Sequence, residues 1–136
     1  MAYARFTHEY QKSAVNGASP LTLIVMLYDG ALRFMESGKH NMETGNLAKQ
    51  NDSLQKAQKI VLELMSSLDM KAGGEVATNL LALYGYVLNE LVLANMKDDP
   101  TSIERAIKVM SDLRESWSQL EASMRNQEGH DNAIAA

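Results

Sequence analysis

Cysteine is absent from the 136-residue chain, proline occurs only twice, and aromatic residues make up 6% of it. Without thiols there are no disulfides, no thiolate zinc or iron–sulfur sites and no cysteine nucleophile. Basic residues are in deficit, 13 Lys and Arg against 17 Asp and Glu for a net charge of −4. Nucleic acid is therefore excluded as a partner, since its phosphates call for a basic stripe. Uninterrupted apolar runs are also missing. The most apolar window, Leu80 to Met96, is broken by Asn89, Glu90 and Asn95, so no membrane span is expected. The opening Met1-Ala2-Tyr3-Ala4-Arg5-Phe6 has no apolar run of signal-peptide length. These absences lead to the expectation of one soluble, cytoplasmic domain spanning 1–136, long enough to bury roughly 70% of its unfolded surface.

What the chain does have is an ordinary apolar share, 46%, of an unusual kind: nine Met against two Phe, five Tyr and one Trp. Unbranched Met side chains fill irregular gaps and are over-used on surfaces that accept varied partners. The apolar residues follow helical periodicity. Ile103, Ala106, Met110, Leu113, Trp117, Leu120 and Met124 keep a 3-4-3-4 spacing, as do Leu54, Ala57, Val61, Leu64 and Leu68, and Ala77, Leu80, Tyr84, Val87, Leu91 and Ala94. A looser stripe holds Ile24, Tyr28, Ala31, Met35 and Met42. Four such helices predict an all-α fold, an antiparallel four-helix bundle preceded by a short N-terminal helix or segment.

Ser19-Pro20 and Asp99-Pro100 read as caps with proline at the first helical position, although Thr101 and Glu104 offer an alternative capping box. Gly45-Asn46 and Gly73-Gly74 separate the other helices. Residues 1–18 form a weakly amphipathic, mobile segment through Tyr3, Phe6 and Tyr10, and 129–136 a disordered tail. Asp29-Gly30 and Gly85 fall inside helical patterns. There they either let neighbouring backbones approach closely or mark function.

Signatures of catalysis are missing. No glycine-rich phosphate loop follows a strand, and no Gly-x-Ser-x-Gly elbow occurs. Glu36 and His40 lack the second pair that a di-metal bundle needs, and His8 and His130 lie far apart in sequence. Neither a metal nor a cofactor is expected, and the chain reads as a non-enzyme. His40 leaves one alternative open, a histidine phosphotransfer bundle, although Asn41-Met42-Glu43 follows it where that family places lysine and glycine. The acidic pairs Asp98-Asp99 and Asp112-Glu115 read as caps and solvated faces.

The informative segment is the third helix, 75–97. Beside its core stripe runs a second line, Asn79, Leu83, Tyr86, Glu90 and Leu93. A bundle helix needs one apolar stripe, so Leu83, Tyr86 and Leu93 are surplus. Leu23, Met26 and Phe34 on the first helix and Leu62 and Met65 on the second add to that surplus. These residues either broaden the core, form a homodimer contact in a structural homo-oligomer, or line a groove for another protein's amphipathic helix.

Several runs resemble one family, the flagellin export chaperones (FliS). They are Tyr10-Gln11-Lys12, Ala18-Ser19-Pro20-Leu21, Met26-Leu27-Tyr28-Asp29-Gly30-Ala31-Leu32-Arg33-Phe34, Ala57-Gln58-Lys59-Ile60, Gly74-Glu75-Val76-Ala77, Leu83-Tyr84, Ala94-Asn95 and Leu113-Arg114-Glu115-Ser116-Trp117. Together they cover roughly residues 3–120. The resemblance implies a helical bundle that wraps the C-terminal segment of flagellin around its apolar surface. Such a chaperone stops premature polymerisation in the cytoplasm and hands the subunit to the flagellar type III export gate. An export-gate component or an anti-sigma factor is a further partner it implies, with the free chaperone a monomer or a homodimer. It also implies that the N-terminal segment covers the client surface, Phe6 and Tyr10 being the residues that match that role.

Overall fold

The computed structural model describes residues 19–135, and among them every regular element is an α-helix. In chain order these are α1 (Pro20–Glu43), α2 (Leu47–Ser66), α3 (Met70–Lys97) and α4 (Pro100–Ala135). Connections of two or three residues force successive helices to run antiparallel. Each helix packs on its two neighbours around a square, while α1 and α3 face each other across the diagonal. Phe6 and Tyr10, and the segment 1–18 that carries them, lie outside the described residues.

The boundaries follow local chemistry. Ser19 Oγ accepts the Thr22 N–H at 3.1 Å ahead of Pro20, and Asn46 Oδ1 accepts the Lys49 N–H at 3.2 Å after Gly45 turns the chain at φ +78°. Asp69 caps a single first turn of α3, and Gly74, at φ +53° and ψ −127°, breaks the helical path there. Continuous α3 therefore begins at residue 75, where the apolar pattern places it. At α4 the Asp99 carboxylate accepts the Thr101 N–H at 2.9 Å, while Glu104 pairs with Lys39 on α1 instead of closing a capping box.

The stripes meet in one core that includes Tyr28, Met35, Leu54, Val61, Leu64, Tyr84, Val87, Leu91, Ile103 and Met110. At its centre the hydroxyls of Tyr28 and Tyr84 hydrogen-bond across the diagonal, and Trp117 Nε1–H donates to Tyr28 at 3.2 Å. Burial raises both phenol pKa values above the ordinary tyrosine value. The α4 stripe departs from expectation at its end, where Leu120 and Met124 are exposed. With 36 residues against 24 and 28 in its neighbours α1 and α3, α4 runs on past both of them at its C-terminal end. It also remains helical through 129–135, the stretch expected to be disordered, where no proline interrupts it.

Asp29-Gly30 is helical, as its place in the pattern requires, and Asp29 holds Arg114 of α4 at 2.7 Å. Gly38 does allow close approach between helices: an added Cβ there would lie 2.6 Å from Leu54 Cδ2. At Gly85 an added Cβ meets none of the described residues, so close packing among the four helices does not explain it. Opposite results follow for the two alanine variants. Gly85→Ala should stabilise the fold by about 1 kcal/mol through helix propensity alone. Gly38→Ala should lose that gain and about 1 kcal/mol more to overpacking against buried Leu54. Urea midpoints of the two variants test this.

Candidate functional site

The buried stripe of α3 (Ala77, Leu80, Tyr84, Val87, Leu91, Ala94) anchors it between α2 and α4. The rest of the helix carries almost no charge, Glu90 being the only charged residue between Glu75 and Lys97. Glu90 is itself buried and paired with Arg105 Nε at 2.9 Å, and Arg105 Nη2 in turn donates to Ser102 Oγ at 3.1 Å. What reaches solvent is an uncharged surface about 30 Å long. Val76, Leu81, Leu83, Tyr86, Val92 and Met96 are its exposed large apolar side chains, Met96 at 73% and Val76 at 67%. Length and composition would let α3 cross a membrane, contrary to the reading of its polar interruptions, yet its core stripe is built into the bundle.

Among the described residues, clefts open along α3 at three places. On its α4 flank, Tyr86 with Thr101, Glu104, Arg105, Lys108 and Val109 surrounds about 310 Å³. On its α2 flank, Val92, Asn95 and Met96 face Gln55 and Gln58 around about 220 Å³. At the α1 entry, Ile24, Leu64, Leu68, Val76, Leu80 and Trp117 are among the residues enclosing a third, almost wholly apolar cleft of about 220 Å³. None presents a nucleophile beside a base, and no group of His, Asp or Glu suited to a metal occurs among the described residues. The arrangement is fitted for burying a partner's apolar side chains.

The surplus residues do not share one groove. Leu83 and Tyr86 are exposed at 36% and 41% on the α4-facing side of α3. Leu93 is half-buried on the outer side of the same helix. Leu62 is exposed and Met65 packs on the core, both on the side of α2 that turns to α3. Leu23 and Met26 are half-buried on α1, diagonal to α3, and so stand apart from Tyr86. Phe34 packs on the core under Lys56, whose Nζ lies 5.6 Å from the ring centroid, and is accounted for by the fold. His40 is exposed in the last turn of α1. Val76, Leu81, Val92 and Met96 belong to the apolar surface although no single stripe picks them out. The missing charge along α3 is the signal that finds them.

The chain matches the family model described as flagellar protein FliS over residues 2–124. It is 38% identical over 128 residues to the flagellar secretion chaperone FliS of Salmonella typhimurium, covering 93% of each chain. Identity to the flagellar secretion chaperone FliS of Vibrio cholerae is 34% over 125 residues, 92% of this chain and 90% of the relative. For the Bacillus subtilis protein of the same name it is 32% over 126 residues, 93% of each.

Proposed function

The chain belongs to the FliS family of flagellar secretion chaperones, and from that premise we propose that its client is flagellin, bound through the C-terminal segment. In this reading the segment seats amphipathic helical turns on the apolar surface of α3, with Leu83 and Tyr86 as principal contacts and Leu93, Leu62 and Met65 beside them. Leu23 and Met26 contribute a separate patch on α1. Phe6 and Tyr10 cover client surface in the free protein and move aside on binding. Capture in the cytoplasm keeps flagellin from polymerising and holds it for the flagellar type III export apparatus. A component of that apparatus, or an anti-sigma factor, is a further partner in this reading.

The observation that carries this reading is the uncharged outer face of α3. A segment that folds on binding loses several kcal/mol of chain entropy, which only a large apolar contact offsets. A helix whose exposed side chains between Glu75 and Lys97 carry no free charge supplies such a contact without desolvating ions. Nothing in the site calls for nucleotide or metal. Calorimetry of the chain with a peptide comprising the C-terminal segment of a flagellin tests the proposal. A saturable 1:1 isotherm with a clearly negative heat-capacity change is expected, and absence of binding would overturn it.

A further inference from the structure

Sulfur occurs in this chain only as methionine, nine residues with no cysteine beside them. A two-electron oxidant such as a peroxide therefore meets no thiol, and the thioethers are what it attacks. Exposure decides which of them. Met35 and Met110 are wholly buried in the core, whereas Met96, at 73%, is the most exposed large apolar side chain among the described residues. Met70 and Met124 follow at 43% and 45%, the first ahead of the break at Gly74 and the second far along α4. Of these three, only Met96 stands in the uncharged run of α3 between Glu75 and Lys97.

The surroundings of Met96 suit the oxidised side chain. Met96 shares the α2-flank cleft with Val92, Gln55, Gln58 and Asn95. Gln55 Nε2 and Asn95 Nδ2 each donate one N–H to Asn51 Oδ1, at 3.1 and 2.8 Å, and each keeps a second. Gln58, half-buried in the same wall, has no hydrogen-bond partner among the described residues. A thioether sulfur is a weak acceptor and leaves these donors to water. A sulfoxide oxygen is a polar acceptor that they can hold. Oxidation thus turns a flexible apolar side chain into a polar one, fixed at one end of the apolar surface.

We propose that Met96 is a reversible oxidation site through which peroxide lowers the hold of the chaperone on its client. A lone pair of Met96 Sδ attacks one oxygen of hydrogen peroxide and the O–O bond breaks. Sulfur keeps that oxygen and gives up two electrons, and the hydroxyl proton joins the departing hydroxide, which leaves as water. Return to the thioether takes two electrons from a thiol reductant through a methionine sulfoxide reductase. The effect on binding rests on the client reading above, whereas the oxidation itself does not.

The full chain is treated briefly with hydrogen peroxide, freed of it, mapped by mass spectrometry and titrated with a methionine-free flagellin C-terminal peptide. Met96 should gain oxygen ahead of Met70 and Met124, with Met35 and Met110 unchanged and helical content retained. Affinity should fall about tenfold, and methionine sulfoxide reductase should restore it. Met96→Leu, whatever its starting affinity, should lose none of it on the same treatment. Slower oxidation of Met96 than of Met70 or Met124 would overturn the inference, as would an equal loss in Met96→Leu. Oxidised Met96 with undiminished affinity would overturn it too. Each of those results leaves the client reading standing, whereas absence of binding by the untreated chain removes both.

Discussion

Replacing Leu83 and Tyr86 together by Asp should weaken binding of the flagellin C-terminal peptide by at least about a hundredfold and leave the fold nearly as stable as before. Each carboxylate would have to lose water beneath the client's apolar side chains, and the cations that line the Tyr86 cleft are already engaged, Arg105 with Glu90 and Lys108 with Asp112. The loss costs several kcal/mol, and about 1.4 kcal/mol is a factor of ten in affinity. The fold is spared because both side chains point away from the core stripe. At 36% and 41% exposure they are already partly in water, whereas Leu80 and Tyr84 on the same helix are buried. Calorimetry reads the binding loss, and circular dichroism with a thermal melt reads the fold. Unfolding of the double variant would mean that these residues hold α3 to α4, and the client seat would have to be sought elsewhere. Retained binding with an intact fold would remove the α4 flank from the contact.

That the fold could be read from the chain, and the apolar surface of α3 only in part, has a physical cause visible in particular residues. A 3.6-residue period records which face of a helix is buried, and the Ala77–Leu80–Tyr84–Val87–Leu91 stripe is buried as its spacing requires. Caps and stops are equally local: Ser19, Asn46, Asp69 and Asp99 bond to N–H groups two or three residues on. What a neighbouring helix places opposite is not local, so the same 3-4 spacing that buries Met110 leaves Leu120 and Met124 in solvent. Nor does spacing tell which helix stands opposite. Leu23, Met26 and Leu83 look alike on a wheel, yet α1 and α3 lie on a diagonal and their outer faces point apart. The contact of Gly38 with Leu54 likewise depends on the meeting of two helices and leaves no mark on either alone. The apolar surface of α3 was partly legible because part of it is a deficit of charge along one helix. Its division between two flanks appears only once α2 and α4 are placed.

Tyr28→Ala should be the most damaging single change to the fold, costing about 3–5 kcal/mol, as other deletions of buried rings do. A domain of this kind is stable by only about 5–15 kcal/mol, so the variant would be near unfolding at physiological temperature. The ring is wholly buried on α1, and its hydroxyl ties Tyr84 of α3 and Trp117 of α4 into one network. Tyr28→Phe keeps the ring but strips a partner from both Tyr84 and Trp117, at a cost of about 1–3 kcal/mol. The same burial gives a pH signature. Both phenols ionise at higher pH in the folded chain than in the unfolded one, chiefly because burial disfavours the phenolate. Their contribution is therefore complete below the unfolded tyrosine value, about 10, and declines as pH rises above it, where only the unfolded chain releases the protons. Urea midpoints of the wild-type chain should fall steeply above about pH 10, and Tyr28→Phe, with one such group fewer, should fall less steeply. Equal slopes would mean that Tyr28 ionises alike in both states, which a ring sealed between α1, α3 and α4 does not do.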